Sequence, residues 1–197
     1  MPIEVTVFDT RVSRKYSGAA PRMGTGSKLV VCDQSTDIGK MVRDVVMLAK
    51  TFGHISSLRL MSHAWTSGTR GGYGLELCHD DLMPENVDVL APWNKLADRI
   101  YIYGCRIADS PAKGDPTRRI LQDGSSEPWP NGGVFLSKIA RVTDSEVVAS
   151  NALQIYDVSS KSPFANWELD PGNWEGVVKI FFPDGRSRLY DPAKEGN

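Results

Sequence analysis

The chain has 197 residues, of which 41% are hydrophobic and 24% charged, so it can build a sizeable core without disulfides or metal ions. Its 23 basic and 24 acidic residues nearly cancel, which argues against nucleic acid and an anionic membrane as partners. No apolar run approaches the roughly 20 residues of a membrane span, and the N-terminus lacks the pattern of a signal peptide. We expect one domain over residues 1–197, cytoplasmic by default, with secretion by another route left open.

The cysteine content argues against both disulfides and metal. Cys32, Cys78 and Cys105 are an odd and sparse set, which is typical of a reducing compartment rather than of a disulfide framework. No CxxC or HExxH motif occurs, and the adjacent Cys78 and His79 have no second ligand pair at metal-site spacing. We therefore predict no metal and no cofactor.

The first part of the chain predicts a βαβ unit after an N-terminal strand. Apolar residues recur at helical spacing between an N-cap at Asp37 and a stop at Gly53, so a helix joins two parallel strands through a right-handed crossover. The elements predicted here are, in order, a strand at Ile3–Phe8, an exposed loop at 11–27, a strand at Lys28–Cys32, a helix at Ile38–Phe52 and a strand at Leu58–Ser62.

The rest of the chain continues the alternation and then changes character. The alternation predicts an α/β fold with a doubly wound, mostly parallel sheet, closed by a C-terminal β-hairpin in residues 171–197 around the turn Pro183-Asp184-Gly185. The elements predicted here are a Gly-rich loop at 64–74, a short strand at Leu75–Cys78, a helix within 84–97, a strand at Arg99–Gly104, a long polar loop at 108–131, a helix at Gly133–Val142 with Val134, Phe135, Leu136, Ile139 and Ala140 inward, and a strand at Glu146–Ser150.

Two reactive side chains follow strands of this sheet. His63 comes directly after Leu58–Ser62, and Cys105 directly after Arg99–Gly104. The carboxyl ends of neighbouring parallel strands meet at one edge of a sheet, where an imidazole beside a thiol can generate a thiolate nucleophile. The spacing leaves the simpler interpretation open as well, because a cysteine at a strand end is often only a small apolar filler.

The ordered motifs resemble those of a known group of enzymes. Leu60-Met61-Ser62-His63, Ile102 to Ala108, Gly133 to Ala140, Val147 to Ser150 and Trp167-Glu168-Leu169 resemble a bacterial domain of unknown function related to the CHAT peptidases. More widely, the pattern is similar to the caspase-hemoglobinase fold of the clan CD cysteine peptidases. The similarity extends over residues 28–170. It implies a caspase-like three-layer sandwich with a mostly parallel central sheet.

The resemblance also implies roles for particular residues. His63 corresponds to the general base and Cys105 to the nucleophile of a cysteine endopeptidase or related acyl-transfer hydrolase. The backbone N–H groups of Ala64 and Cys105 correspond to an oxyanion hole. Peptidases of the clan usually have Gly after the His and an acidic or amide residue, then Ala, before the Cys, whereas this chain has Ala64 and Tyr103-Gly104.

Four further residues are candidates for substrate contact, each with an ordinary structural alternative. Trp65 lies in the Gly-rich loop and either lines the cleft or packs under the loop. Asp109 can bind a basic side chain or cap a helix, and Ser150 and Asn151 end a strand at the edge where ligands bind. The expected partner is a polypeptide substrate. The alternative is a catalytically inactive caspase-like module that binds a protein or glycan.

Overall fold

The structure is a computed structural model that describes residues 2–12, 26–65, 73–105, 107–108, 118–120, 126–128, 132–152, 157–158, 169–170 and 174–195. The helices are α1 (Ile38–Phe52), a 3₁₀ helix (Val87–Trp93), α2 (Gly132–Thr143) and α3 (Pro192–Glu195). The strands are β1 (Ile3–Asp9), β2 (Ser27–Cys32), β3 (Ile55–Met61), β4 (His63–Trp65), β5 (Gly74–Glu76), β6 (Ala97–Tyr103), β7 (Arg118–Ile120), β8 (Ser126–Pro128), β9 (Glu146–Ser150), β10 (Asp157–Val158), β11 (Leu169–Asp170), β12 (Val178–Phe181) and β13 (Ser187–Leu189).

Seven strands form the central sheet, in the order β13-β12-β9-β6-β3-β1-β2. The five strands from β9 to β2 are parallel. β12 pairs antiparallel with β9, and β13 pairs antiparallel with β12, which forms the predicted C-terminal hairpin. β1 lies between β2 and β3, so α1 crosses over β1 on its way from β2 to β3. The sequence predicted parallel strands here but not this insertion.

Helix α1 forms as predicted because its N-cap, its C-terminal glycine and its apolar face all favour the same helical segment. The Asp37 side chain accepts a hydrogen bond from the Lys40 N–H at 2.6 Å, which caps the first turn. Gly53 ends the helix with a φ of 105°, a conformation that costs other residues free energy, and its N–H donates to the Ala49 carbonyl. The buried face contains Ile38, Met41, Val42 and Val45.

The predicted second helix is a 3₁₀ helix rather than an α-helix. Pro92 lies inside it and has no N–H for a regular α-helical bond, and in an α-helix its ring would clash with a carbonyl of the preceding turn. The segment is still fixed firmly, because Trp93 is buried and its indole N–H donates to the Val42 carbonyl at 3.1 Å.

Three further details differ from the prediction. Part of the expected Gly-rich loop forms β4, which pairs antiparallel with the predicted short strand, here β5, and within the long polar loop β7 pairs with β8. Val134 was predicted to face inward, but its side chain is 59% exposed because it lies on the outer face of α2. Arg11 was assigned to an exposed loop, but it is only 9% exposed because it pairs with buried carboxylates.

Apolar clusters cover both faces of the sheet. One face packs against α1, the 3₁₀ helix and α2 through residues such as Val7, Leu60 and Ile102. The other face carries Phe8, Met61 and Tyr103, and Trp174 stacks on Tyr103 with ring centroids 4.4 Å apart. This is the predicted α/β three-layer sandwich with a mostly parallel sheet. Within the described ranges, no helix is both long and apolar enough to cross a membrane.

Candidate active site

His63 and Cys105 occupy equivalent positions on adjacent strands. β3 pairs in parallel with β6, and Met61 lies opposite Tyr103 in their register. His63 and Cys105 each follow two positions later, so both leave the sheet at the same edge and the same height. Neighbouring strands are about 4.8 Å apart, which brings the two short segments side by side.

Close packing on Gly104 holds these two segments together. A Cβ on Gly104 would lie 3.0 Å from the Ala64 Cβ and 2.9 Å from the Leu75 Cδ2. The ribbon of β4 and β5 therefore packs directly on the residue that precedes Cys105. Glycine fits at this point because it has no side chain to displace the ribbon.

His63 is exposed and is held at one ring nitrogen. Its Nε2 lies 3.3 Å from the Arg11 carbonyl, just beyond β1. A carbonyl oxygen only accepts hydrogen bonds, so in the neutral imidazole Nε2 carries the proton and Nδ1 carries the lone pair. Across the ribbon, Glu76 lies directly opposite His63.

Cys105 lies in a turn that is fixed to the neighbouring strand. The Ile107 N–H donates to the Gly104 carbonyl at 3.4 Å, and the Ala108 N–H donates to the Ser150 carbonyl of β9 at 3.0 Å. Cys105 is half-buried, whereas Cys32 and Cys78 are buried, and none of the three forms a disulfide. A burial pattern of this kind makes Cys105 the most accessible of the three thiols.

The Ala64 N–H points away from β5. Leu75 exchanges both of its backbone hydrogen bonds with Leu82, at 2.8 and 2.9 Å, so its polar groups face away from β4. Ala64 lies opposite Leu75, and alternation along an antiparallel ladder makes this a pair without mutual backbone bonds. The Ala64 N–H is therefore directed to the outer side of the ribbon.

A buried ion-pair cluster supports the carbonyl that holds His63. Asp9 ends β1 and is fully buried, and its carboxylate accepts from Arg11 Nε at 2.8 Å and Arg11 Nη2 at 2.7 Å. Arg11 also donates to the Cys78 carbonyl at 2.8 Å and to Asp81 at 3.4 Å. Burial works against the charge on Arg11, but its hydrogen bonds and attraction to Asp9 outweigh burial and raise its pKa.

The same carboxylate brings two cysteines together. The Cys78 N–H donates to Asp9 Oδ2 at 3.0 Å, and the Cys32 sulfur lies 3.8 Å from the same oxygen. A hydrogen bond with Cys78, then burial and the charges of Cys78 and Asp9, raise the pKa of the Cys32 thiol. Cys32 is therefore a buried, protonated thiol, which makes it a poor nucleophile.

Two of the predicted contact residues make structural hydrogen bonds. The Ser150 hydroxyl is buried, donates to the Glu175 carbonyl and accepts from the Ala152 N–H at 3.1 Å. The Asn151 side chain accepts from the Val177 N–H at 2.9 Å. Both residues thus join the end of β9 to the segment before β12.

The other two contact candidates are described only in part or not at all. The backbone of Trp65 belongs to β4, while its side chain lies outside the described part of the chain. Asp109 also lies outside the described residues. Among the side chains that the structure describes, no group of three His, Cys, Asp or Glu residues is placed to hold a metal ion.

Sequence reasoning missed Asp9, Arg11 and Asp81. One signal was present, because Asp9 ends an apolar strand at the same sheet edge as His63. Arg11 and Asp81 gave no such signal, since they meet only through the tertiary fold. Comparison with known proteins adds no family: no protein-family model matches the chain, and no curated protein matches it.

Proposed function

We propose that this protein is a cysteine peptidase, or a related acyl-transfer hydrolase, with a polypeptide substrate. The observation that carries the proposal is the parallel register of β3 and β6. In this register His63 follows the end of β3 and Cys105 follows the end of β6, at equivalent positions on adjacent strands. Exposure of His63 and partial exposure of Cys105 support it, because a filler cysteine in the core would be fully buried.

His63 acts as the general base through Nδ1. The bond from Nε2 to the Arg11 carbonyl keeps the proton on Nε2 and orients the ring, as a base requires. The same bond stabilises the imidazolium that forms when Nδ1 takes the Cys105 proton, because a carbonyl dipole favours a positive ring. Arg11 thus orients the base through its backbone, whereas its side chain is held by Asp9.

The reaction then follows the chemistry of a thiolate. The Cys105 sulfur attacks the peptide carbonyl carbon, and the Ala64 and Cys105 N–H groups stabilise the negative oxygen. The C–N bond breaks as His63 returns its proton to the leaving amine. Water attacks the thioester, His63 takes the water proton, and the C–S bond breaks to regenerate the thiol. An amine in place of that water gives acyl transfer.

A catalytically silent binding module is the second candidate, with a protein or glycan partner. The observation that favours it is Ala64, which stands where the resembled peptidases have glycine and whose Cβ lies against Gly104. In either case we propose a cytoplasmic location, supported by three cysteines without disulfides.

The test is the rate at which iodoacetamide alkylates Cys105 at neutral pH. Mass spectrometry of the labelled peptides separates Cys105 from the buried Cys32 and Cys78. We expect His63→Ala to slow the labelling of Cys105 by about tenfold or more, because the base that forms the thiolate is lost. His79→Ala is the matched control, since His79 is an exposed histidine that contacts Asp80.

Either of two results would contradict the catalytic proposal and leave the binding module. One is equal labelling rates in His63→Ala and His79→Ala. The other is labelling of Cys105 only after denaturation. A positive result justifies incubation with a proteome-derived peptide library, in which cleavage must disappear in both Cys105→Ala and His63→Ala.

A further inference from the structure

A groove runs along the outer flank of α2, beside the hairpin of β12 and β13. Its volume is about 430 Å³, within the range of sites that hold ligands or side chains of a partner. Val134, Ser137 and Arg141 form one wall, and Phe181 and Ser187 belong to the hairpin side. These α2 residues are three and four positions apart, so they form one stripe along the helix.

The groove and the adjoining face of the hairpin offer an apolar surface that the fold leaves exposed. Val134 is 59% exposed, and Leu189, on the edge strand β13, is 68% exposed. Leu189 pairs with Lys179, which is two residues before Phe181 and therefore on the same face of the sheet. Phe181 itself is buried and belongs to the core beneath α2. Helix α2 therefore does not cover the outer edge of the sheet at β13.

The charges at the groove are unbalanced. Lys138 lies near Asp88 at 3.7 Å, Arg186 pairs with Asp184 at 2.6 Å, and Arg188 pairs with Glu195 at 2.6 Å. Arg141 and Lys179 have no acidic partner among the residues described. Arg141 also reaches the hairpin turn, since a Cβ on Gly185 would lie 3.9 Å from its Nη2.

We infer that this groove binds an acidic, amphipathic segment of another protein. Carboxylates of such a segment pair with Arg141 and Lys179, while its apolar residues cover Val134 and Leu189. Charge and apolar surface together select this occupant. A basic segment would be repelled by the two unbalanced cations, and a purely acidic segment would leave the apolar surface exposed. The inference is independent of catalysis by Cys105.

The test is selection from a random-peptide phage library on the full chain, with counter-selection on an Arg141→Glu/Lys179→Glu variant. We expect enriched peptides that combine Asp or Glu with apolar residues. Synthetic copies should bind the variant at least about tenfold more weakly. In wild-type protein they should shift the amide resonances of Val134, Ser137 and Leu189.

A variant with the same change of charge elsewhere is the control. Lys40→Glu/Lys50→Glu alters two exposed lysines of α1, and peptide affinity should change by less than about threefold. The inference is overturned if no peptide is enriched over the counter-selected variant, or if the enriched peptides are basic or neutral. It is also overturned if the shifted resonances lie outside the groove and the adjoining face of the hairpin, or if these signals change only through self-association of the chain.

Discussion

At the residue scale, the buried Asp9 carboxylate organises the sheet edge that carries the candidate site. It accepts the Nε and Nη2 donors of Arg11 and the backbone N–H of Cys78. Through Arg11 it fixes the carbonyl that meets His63. A buried ion pair contributes little net stability when intact, but removal of one partner leaves the other charge buried and unpaired.

Asp9→Asn should therefore be strongly destabilising. We expect a loss of about 3 kcal/mol in the free energy of unfolding, since the buried Arg11 loses its closest acidic partner and is left with the weaker attraction of Asp81 and Glu76. Urea denaturation followed by circular dichroism measures it. Asp80→Asn is the control, because its carboxylate is 46% exposed and its change should stay within about 0.5 kcal/mol. Equal stability of the two variants would rule out the anchoring role of Asp9.

At the scale of elements, the important contact is that of the β4–β5 ribbon on the end of β6. The ribbon brings Ala64 and Leu75 onto Gly104, directly before Cys105. Both strands of the ribbon are three residues long, so their position depends on this contact more than on their own hydrogen bonds.

Gly104→Ala should destabilise the protein by about 2 kcal/mol, because the new methyl group meets both neighbours at 3.0 Å or less. Ala64→Gly in the same chain should restore part of this loss, since it removes one of the two clashing groups. A double-mutant cycle measured by denaturation gives the coupling. Additive effects of the two substitutions would show that Ala64 and Gly104 do not touch.

At the scale of the whole molecule, the nearly balanced charges include ion pairs on the sheet face opposite α1 and α2. Arg59 on β3 pairs with Glu4 on β1 at 2.8 Å, and Arg99 on β6 pairs with Glu146 on β9 at 2.6 Å. The hydrogen bond from Arg59 lowers the pKa of Glu4, although partial burial opposes it. Strands far apart in the sequence are thereby linked by charge.

The lowered pKa makes this link sensitive to acid. The contribution of Glu4 to stability is complete above its unfolded pKa of about 4.3 and is lost as pH falls through the lower folded pKa. We expect Glu4→Gln to lower the free energy of unfolding by about 0.5 kcal/mol at pH 7, a small value because the carboxylate is 43% exposed. The stability difference between wild type and Glu4→Gln should be smaller in acid. Urea midpoints measured across this pH range provide the test. In an Arg59→Gln background the pH-dependent difference should become smaller, because only the Ser27 hydroxyl then remains to lower the pKa of Glu4. An undiminished difference would contradict Arg59 as the main partner.

Local patterns predicted the elements well where one cause decided the structure. Asp37, Gly53 and the apolar face between them delimit α1, and the turn at Pro183–Gly185 forms the predicted hairpin. The apolar spacing within 84–97 predicted a helix, and Pro92, which that pattern does not take into account, makes it a 3₁₀ helix. Val134 was misassigned because it adjoins the buried Phe135 and so resembles part of an inward run.

The sequence by itself determined the parallel α/β class and the positions of His63 and Cys105 at strand ends, because both follow from patterns within a few residues. Only the tertiary structure decided that β1 inserts between β2 and β3, that Arg11 lies buried between Asp9 and Asp81, and that Gly104 meets Ala64. Each of these depends on contacts between distant parts of the chain. Such contacts form only when burial, register and charge are satisfied together, so no local pattern encodes them.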